Sequence, residues 1–148
     1  MRIPRSCPAP LAVLALVSAP VLAVAFPVAV AADESKAGAI CREAEERYVE
    51  LFGHPSAEEE GVSVVTMYKY HFCPAAITVK PGTTVRWVNV DKRTSHSVLV
   101  PKLGLPESDR AFPEEIIEMT FLTAGDYEYL CGPHWESHDM IAMVTVAE

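Results

Sequence analysis

Cys131-Gly-Pro-His134-Trp-Glu-Ser-His138-Asp-Met140 gathers a thiol, two imidazoles and a thioether into one short stretch. Far upstream, Thr94-Ser-His-Ser-Val-Leu-Val100 adds His96. One thiolate and two imidazoles in a trigonal set, with a weak and long thioether contact, form a donor set suited to a copper ion that passes single electrons. Soft sulfur and borderline nitrogen together serve Cu(I) and Cu(II) with little rearrangement. His96, Cys131, His134 and Met140 are therefore the candidate ligands and copper the candidate cofactor, with His138 a further imidazole in the same loop.

Such a site needs strands to present it. In Tyr127-Glu-Tyr-Leu-Cys131, alternation puts Tyr127, Tyr129 and Cys131 on one face, so the thiol points inward as the strand ends. Pro133 lets the following loop curl, and Met140 immediately precedes the strand-like run 141–147. Similar runs rich in Val, Ile, Thr and aromatics cover 62–70, 76–80, 84–90, 95–100 and 115–122. Pro81-Gly82, Asn89 to Lys92 and Ala124-Gly-Asp126 carry turn chemistry between them. Many short strands without strand–helix alternation predict an all-β antiparallel sandwich or barrel over 61–148. His96 then comes from a strand neighbouring Cys131, and the Pro-broken stretch 101–113 forms a long crossover loop with room for a helical turn.

Residues 33–60 have a different period. Ala37, Ile40, Cys41, Ala44, Tyr48, Leu51 and Phe52 recur at helical spacing, while Arg42, Glu43, Glu45, Glu46, Arg47 and Glu50 fill the other face. This is the pattern of an added N-terminal α-helix covering one face of the domain. Gly53 and Pro55 mark its end, and Glu58-Glu-Glu60 reads as a solvated linker.

Residues 1–32 have the layout of a Sec-type signal peptide: Arg2 and Arg5, an apolar run over 11–30, and small residues for cleavage near Ala31 to Asp33. The apolar run is also long enough for an uncleaved membrane anchor. Arg2 and Arg5 are not adjacent, as a twin-arginine signal requires, and Cys7 precedes the apolar run where a lipid-attachment cysteine would follow it. Removing the segment takes the formal net charge from -8 to -10. So acidic a surface excludes nucleic acid as a natural partner and favours encounter with a basic protein, although solubility alone also accounts for it. Export, to the periplasm on this reading, makes disulfides durable. Cys41, Cys73 and Cys131 remain, and if Cys131 takes a metal, Cys41 and Cys73 are left as a pair.

In ordered combination, Ile77-Thr-Val-Lys-Pro-Gly-Thr-Thr-Val-Arg-Trp-Val-Asn89, Ser95-His-Ser-Val98, and Gly125-Asp-Tyr127 leading to Cys131-Gly-Pro-His134 and a Met before the last strand resemble the cupredoxins, on their plastocyanin and amicyanin side. The resemblance implies a Greek-key β-sandwich, a single type 1 copper, and a monomeric electron carrier whose partner is a redox protein such as a cytochrome or copper enzyme. It assigns His96, Cys131, His134 and Met140 as ligands. The interval from His134 to Met140 is one residue longer than in plastocyanins; absorbing the extra residue between Trp135 and Asp139 leaves His138 and Trp135 at the rim as a partner surface. Gly132 stands where Ser or Thr is common, removing a hydroxyl that could bind across the site, and Pro133 offers no N–H. The added helix and Cys73 are more like periplasmic cupredoxins associated with copper tolerance.

Other readings stay open at this level. Cys131 and His134 with another Cys or His could hold structural zinc. A nucleophilic Cys131 lacks an accompanying catalytic signature. Met67, Met119 and Met143 are expected in the core, with an auxiliary Cu(I) site using His71 as the alternative. An open copper position with His138 displacing Met140 would suit an oxidase. Electron carriage and copper tolerance require the same ligands, so the sequence does not separate them.

Overall fold

The computed structural model describes residues 35–148; the leader expected over 1–32 lies outside the described residues. Helix α1, Lys36–Phe52, starts where Ser35 accepts a hydrogen bond from the Gly38 N–H at 3.0 Å. It stops at Gly53, whose φ of 82° is a left-handed conformation that glycine adopts without a Cβ clash. Seven strands follow: β1 Val62–Tyr68, β2 His71–Cys73, β3 Ala76–Val79, β4 Thr83–Asn89, β5 Ile116–Phe121, β6 Gly125–Leu130 and β7 Ile141–Val146, with a one-turn helix α2, Trp135–His138, between the last two. Among the described residues no helix is long and apolar enough to cross a membrane.

The strands form two sheets, in the orders β2-β1-β4-β5 and β3-β7-β6. The expected β-sandwich is present, but it is not wholly antiparallel: β1 runs parallel to β4 and β3 parallel to β7. Those pairs join strands that are not consecutive in the chain, so no hairpin imposes antiparallel pairing on them. Alternation explains the core. Val65, Met67, Val85 and Trp87 face inward from the first sheet and meet Tyr127, Tyr129 and Val144 of the second. Val64, Tyr68, Val88 and Val90 point the other way and pack on Ile40, Ala44 and Tyr48 of α1. A sheet apolar on both faces needs a cover on each, and the helix supplies the outer one. A bond from Cys41 to Cys73, with Cα atoms 5.2 Å apart, ties that cover to the end of β2.

Three local expectations differ from the structure. The run 62–70 does not continue as one strand; it turns back at Lys69 and Tyr70, with φ of 46° and 64°, into β2. The run 95–100 makes no ladder. Its pairings are single bridges, His96 to Ala111 and Leu99 to Leu130, because the segment crosses from one neighbour to another instead of following either. The linker is not uniformly solvated: Glu59 is half-buried, pairing with Arg86 of β4 and accepting from the Tyr48 hydroxyl at 3.3 Å. The stretch 101–113 carries its helical turn at Pro101–Leu103.

Candidate metal centre

Cys131 follows the last residue of β6, and its N–H donates to the Met140 carbonyl at 3.1 Å, pinching the loop shut beside β7. His134 begins the short helix inside that loop, whose backbone folds back through the His134 and Trp135 N–H groups onto the Cys131 carbonyl. His96 is held from the other side by paired N–H and C=O bonds to Ala111, at 3.0 and 2.8 Å.

These placements bring three donors together. Cys131 Sγ lies 3.8 Å from His96 Nδ1 and 3.2 Å from His134 Nδ1. His96, Cys131 and His134 form the one group of His, Cys, Asp or Glu side chains among the described residues whose donor atoms converge, all within 4.8 Å of one another. With metal–sulfur and metal–nitrogen bonds of about 2.3 and 2.0 Å, trigonal donors stand roughly 3.5–3.8 Å apart, so this spacing suits a single ion. Cys131 and His96 are fully buried, His134 half-buried, and Met140 buried in the same core cluster as Cys131.

The groups around the donors fix how they face. His96 Nε2 lies 2.7 Å from Asp91 Oδ2. A carboxylate accepts, so Nε2 carries the proton and Nδ1 turns its lone pair toward Cys131. Burial alone would lower the His96 pKa, but its hydrogen bond to Asp91 and the neighbouring Cys131 outweigh it and raise it. Burial likewise pushes the Cys131 thiol up, while its contacts with His96 and Ser97 bring it below its ordinary value. That Ser97 N–H donates to Cys131 Sγ at 3.4 Å. His134 is lowered by burial, then by the nearby positive charges of His96 and Arg110.

The other candidates separate. His138 is exposed and outside the converging group; its ring stacks on Tyr70 at 3.8 Å, and Tyr70 also meets the His134 ring at 4.9 Å. Trp135 beside it is 42% exposed. A zinc site with a second thiolate finds none here, because Cys41 and Cys73 are bonded to each other and Cys131 is the free cysteine of the described residues. Met67 is sealed in the core, whereas His71 pairs with Tyr68 across the hairpin and has its Nδ1 beside the Lys69 carbonyl. Met119 and Met143 are half-buried, with Met119 packed against the core.

Asp91, Ser97 and Tyr70 were not among the candidates from sequence. Ser97 could have been found from its place directly after His96, but nothing in the spacing of Asp91 or Tyr70 marks either as a partner of the site.

Comparison with known proteins gives a consistent picture. The family described as copper binding proteins, plastocyanin/azurin family, matches residues 60–147. The chain is 33% identical to plastocyanin of Scenedesmus fuscus over 73 residues, 43% of this chain and 74% of that protein. It is 36% identical to amicyanin of Paracoccus versutus over 77 residues, 48% of this chain and 56% of that one. Among solved structures it resembles a reduced single-substitution variant of amicyanin with a TM-score of 0.54 and 29% identity, covering 62% of this chain and 89% of that chain. The crystal structure of Paracoccus versutus amicyanin gives a TM-score of 0.52 at 28% identity, with 62% and 88% covered.

Proposed function

This chain belongs to the plastocyanin/azurin family of copper-binding proteins, and from that premise we propose that it is an exported carrier of single electrons, with His96, Cys131, His134 and Met140 as the ligands of one copper. The observation that carries this reading is the convergence of one thiol and two imidazoles at a point where two donors are sealed and the third, His134, reaches the surface. Copper held there would supply a one-electron Cu(II)/Cu(I) couple, the chemistry a carrier between redox proteins needs.

The chain's own residues do the rest. Cys131 contributes the anionic sulfur. His96 is held in one tautomer by Asp91, and Met140, just before β7, would offer the weak thioether donor. Cys131 and Met140 sit beside strand ends, His96 on backbone paired with Ala111, and His134 on a loop closed by its own hydrogen bonds, so the scaffold favours one arrangement whichever charge an ion would bear. His134 provides the short path to a partner, and Trp135 and His138 flank it as the contact surface. An acidic surface favours a basic redox partner such as a cytochrome, with encounter rates that fall as salt rises. In this proposal residues 1–32 direct export to the periplasm, 33–60 form the covering helix and linker, 61–148 form the copper domain, and the protein works as a monomer.

The test is the spectrum of copper-loaded protein. Oxidised protein is expected to be intensely coloured, from charge transfer between the Cys131 thiolate and Cu(II), to give an EPR signal, and to bleach on reduction. A colourless protein purified with stoichiometric zinc refutes the proposal.

A further inference from the structure

Gly132 removes a hydroxyl from the loop, and the structure supplies one from the opposite side. Ser97 is completely buried, and its Oγ accepts the Gly132 N–H at 3.3 Å and lies 3.8 Å from Cys131 Sγ. The hydroxyl has a single proton, and that proton goes to Glu107, whose carboxylate can only accept. Glu107 is an exposed side chain, but the backbone beside it is anchored. Its neighbour Ser108 is strapped to Val98 in both directions, N–H to carbonyl at 3.0 Å and Val98 N–H to Ser108 Oγ at 2.9 Å. The space beside Gly132 is also taken: a Cβ built there would collide with the Glu107 carboxylate. A glycine at 132 and a glutamate at 107 are therefore two halves of one arrangement.

We propose that Glu107 is a positioning residue for the thiolate: by holding the Ser97 proton it keeps the Ser97 hydroxyl from donating to Cys131 Sγ, so that of the two Ser97 donors only the backbone N–H serves the sulfur. This rests on the copper reading above. Hydrogen bonds to the cysteine sulfur tune the potential of such a site. Each added donor withdraws electron density from the thiolate and favours the reduced ion. Pro133, with no N–H, cannot add one from the loop. Release of the Ser97 hydroxyl would add one.

Four variants test this, read by reduction potential and by the energy of the sulfur-to-copper charge-transfer band. Glu107→Ala frees the hydroxyl and is expected to shift the one-electron equilibrium toward the reduced form by about tenfold, or about 59 mV, and to move the band. Glu107→Gln keeps an acceptor oxygen and is expected to stay near wild type. Gly132→Ala, whose methyl displaces the carboxylate, should behave like Glu107→Ala. In a Ser97→Ala background both shifts should vanish. The proposal is overturned if Glu107→Ala leaves potential and band unchanged, if Glu107→Gln shifts them as far as Glu107→Ala does, or if the shifts persist without the Ser97 hydroxyl. A readout independent of copper is hydrogen exchange at the Gly132 amide of metal-free protein, expected to accelerate about tenfold in Glu107→Ala and to remain near wild type in Glu107→Gln; equal rates in all three overturn it. A wild type with no blue band would defeat the copper reading while leaving this exchange measurement decisive.

Discussion

Replacing Asp91 by alanine should weaken the fold and the metal site together, by amounts the structure bounds. Asp91 is 8% exposed, and its Oδ2 accepts from two donors: His96 Nε2 at 2.7 Å and the Lys69 N–H at 3.1 Å. Losing a carboxylate acceptor costs about 1.5–3 kcal/mol, and leaving a second backbone donor unpaired adds about 1 kcal/mol, so Asp91→Ala is expected to lose about 2.5–4 kcal/mol in urea denaturation of the metal-free protein. His96 also loses the group that fixes its tautomer, and removal of such outer partners typically costs 10–100-fold in metal affinity. Asp91→Asn is the informative control. Both donors meet a single oxygen, which an amide can reproduce, so the asparagine variant should retain most of the stability and lose chiefly the charge assistance at His96. A competition titration with a copper chelator measures the second effect. If Asp91→Ala unfolds within about 0.5 kcal/mol of wild type, the buried His96 N–H does not depend on this carboxylate. If it also binds copper as tightly, the tautomer argument fails too.

Within the loop, His134→Ala is expected to abolish the blue absorption, Met140→Leu to keep copper with a shifted potential, and His138→Ala to leave the spectrum nearly unchanged; colour lost in His138→Ala but kept in His134→Ala would reverse the ligand assignment. The bond between Cys41 and Cys73 closes a separation of 32 residues. Chain entropy gives it about 3–4 kcal/mol, so Cys41→Ala with Cys73→Ala should lower unfolding stability by that amount, and a loss below about 1 kcal/mol would mean that closing this loop does little to restrict the unfolded chain.

The parts of the protein legible from sequence are those governed by period and donor chemistry. Alternation along Tyr127, Tyr129 and Cys131 is set by the strand itself, and all three are buried. The helical stripe of Ile40, Ala44 and Tyr48 is likewise local. Parallel pairing of β1 with β4 was not legible, because no turn adjoining either strand encodes it. The turn at Lys69 and Tyr70 was missed for a different reason. It has neither Gly nor Asn, the residues that ordinarily mark positive φ, and is held by tertiary contacts. Asp91 and Glu107 escaped notice because an acidic side chain in a polar loop looks the same whether it faces water or a buried donor.

That unmarked turn links the added helix to the metal centre. A positive φ at a residue other than glycine persists where the surroundings over-determine it. Here the surroundings are identifiable. The Lys69 ammonium pairs with Glu43 of α1, the Tyr68 hydroxyl donates to the same carboxylate at 3.4 Å, and Cys73 at the far end of β2 is bonded to Cys41 of the same helix. With the hairpin gripped at both ends, the Lys69 N–H reaches Asp91, which holds His96, and the Tyr70 ring lies against His134 and His138. The exposed Glu43–Lys69 pair contributes little energy by itself. Its consequence is positional, since the residue whose ammonium it fixes is also the one whose backbone N–H fixes Asp91. One tight turn thus touches a partner of each imidazole, and the helix that covers the outer face of the sheet also sets where that turn stands.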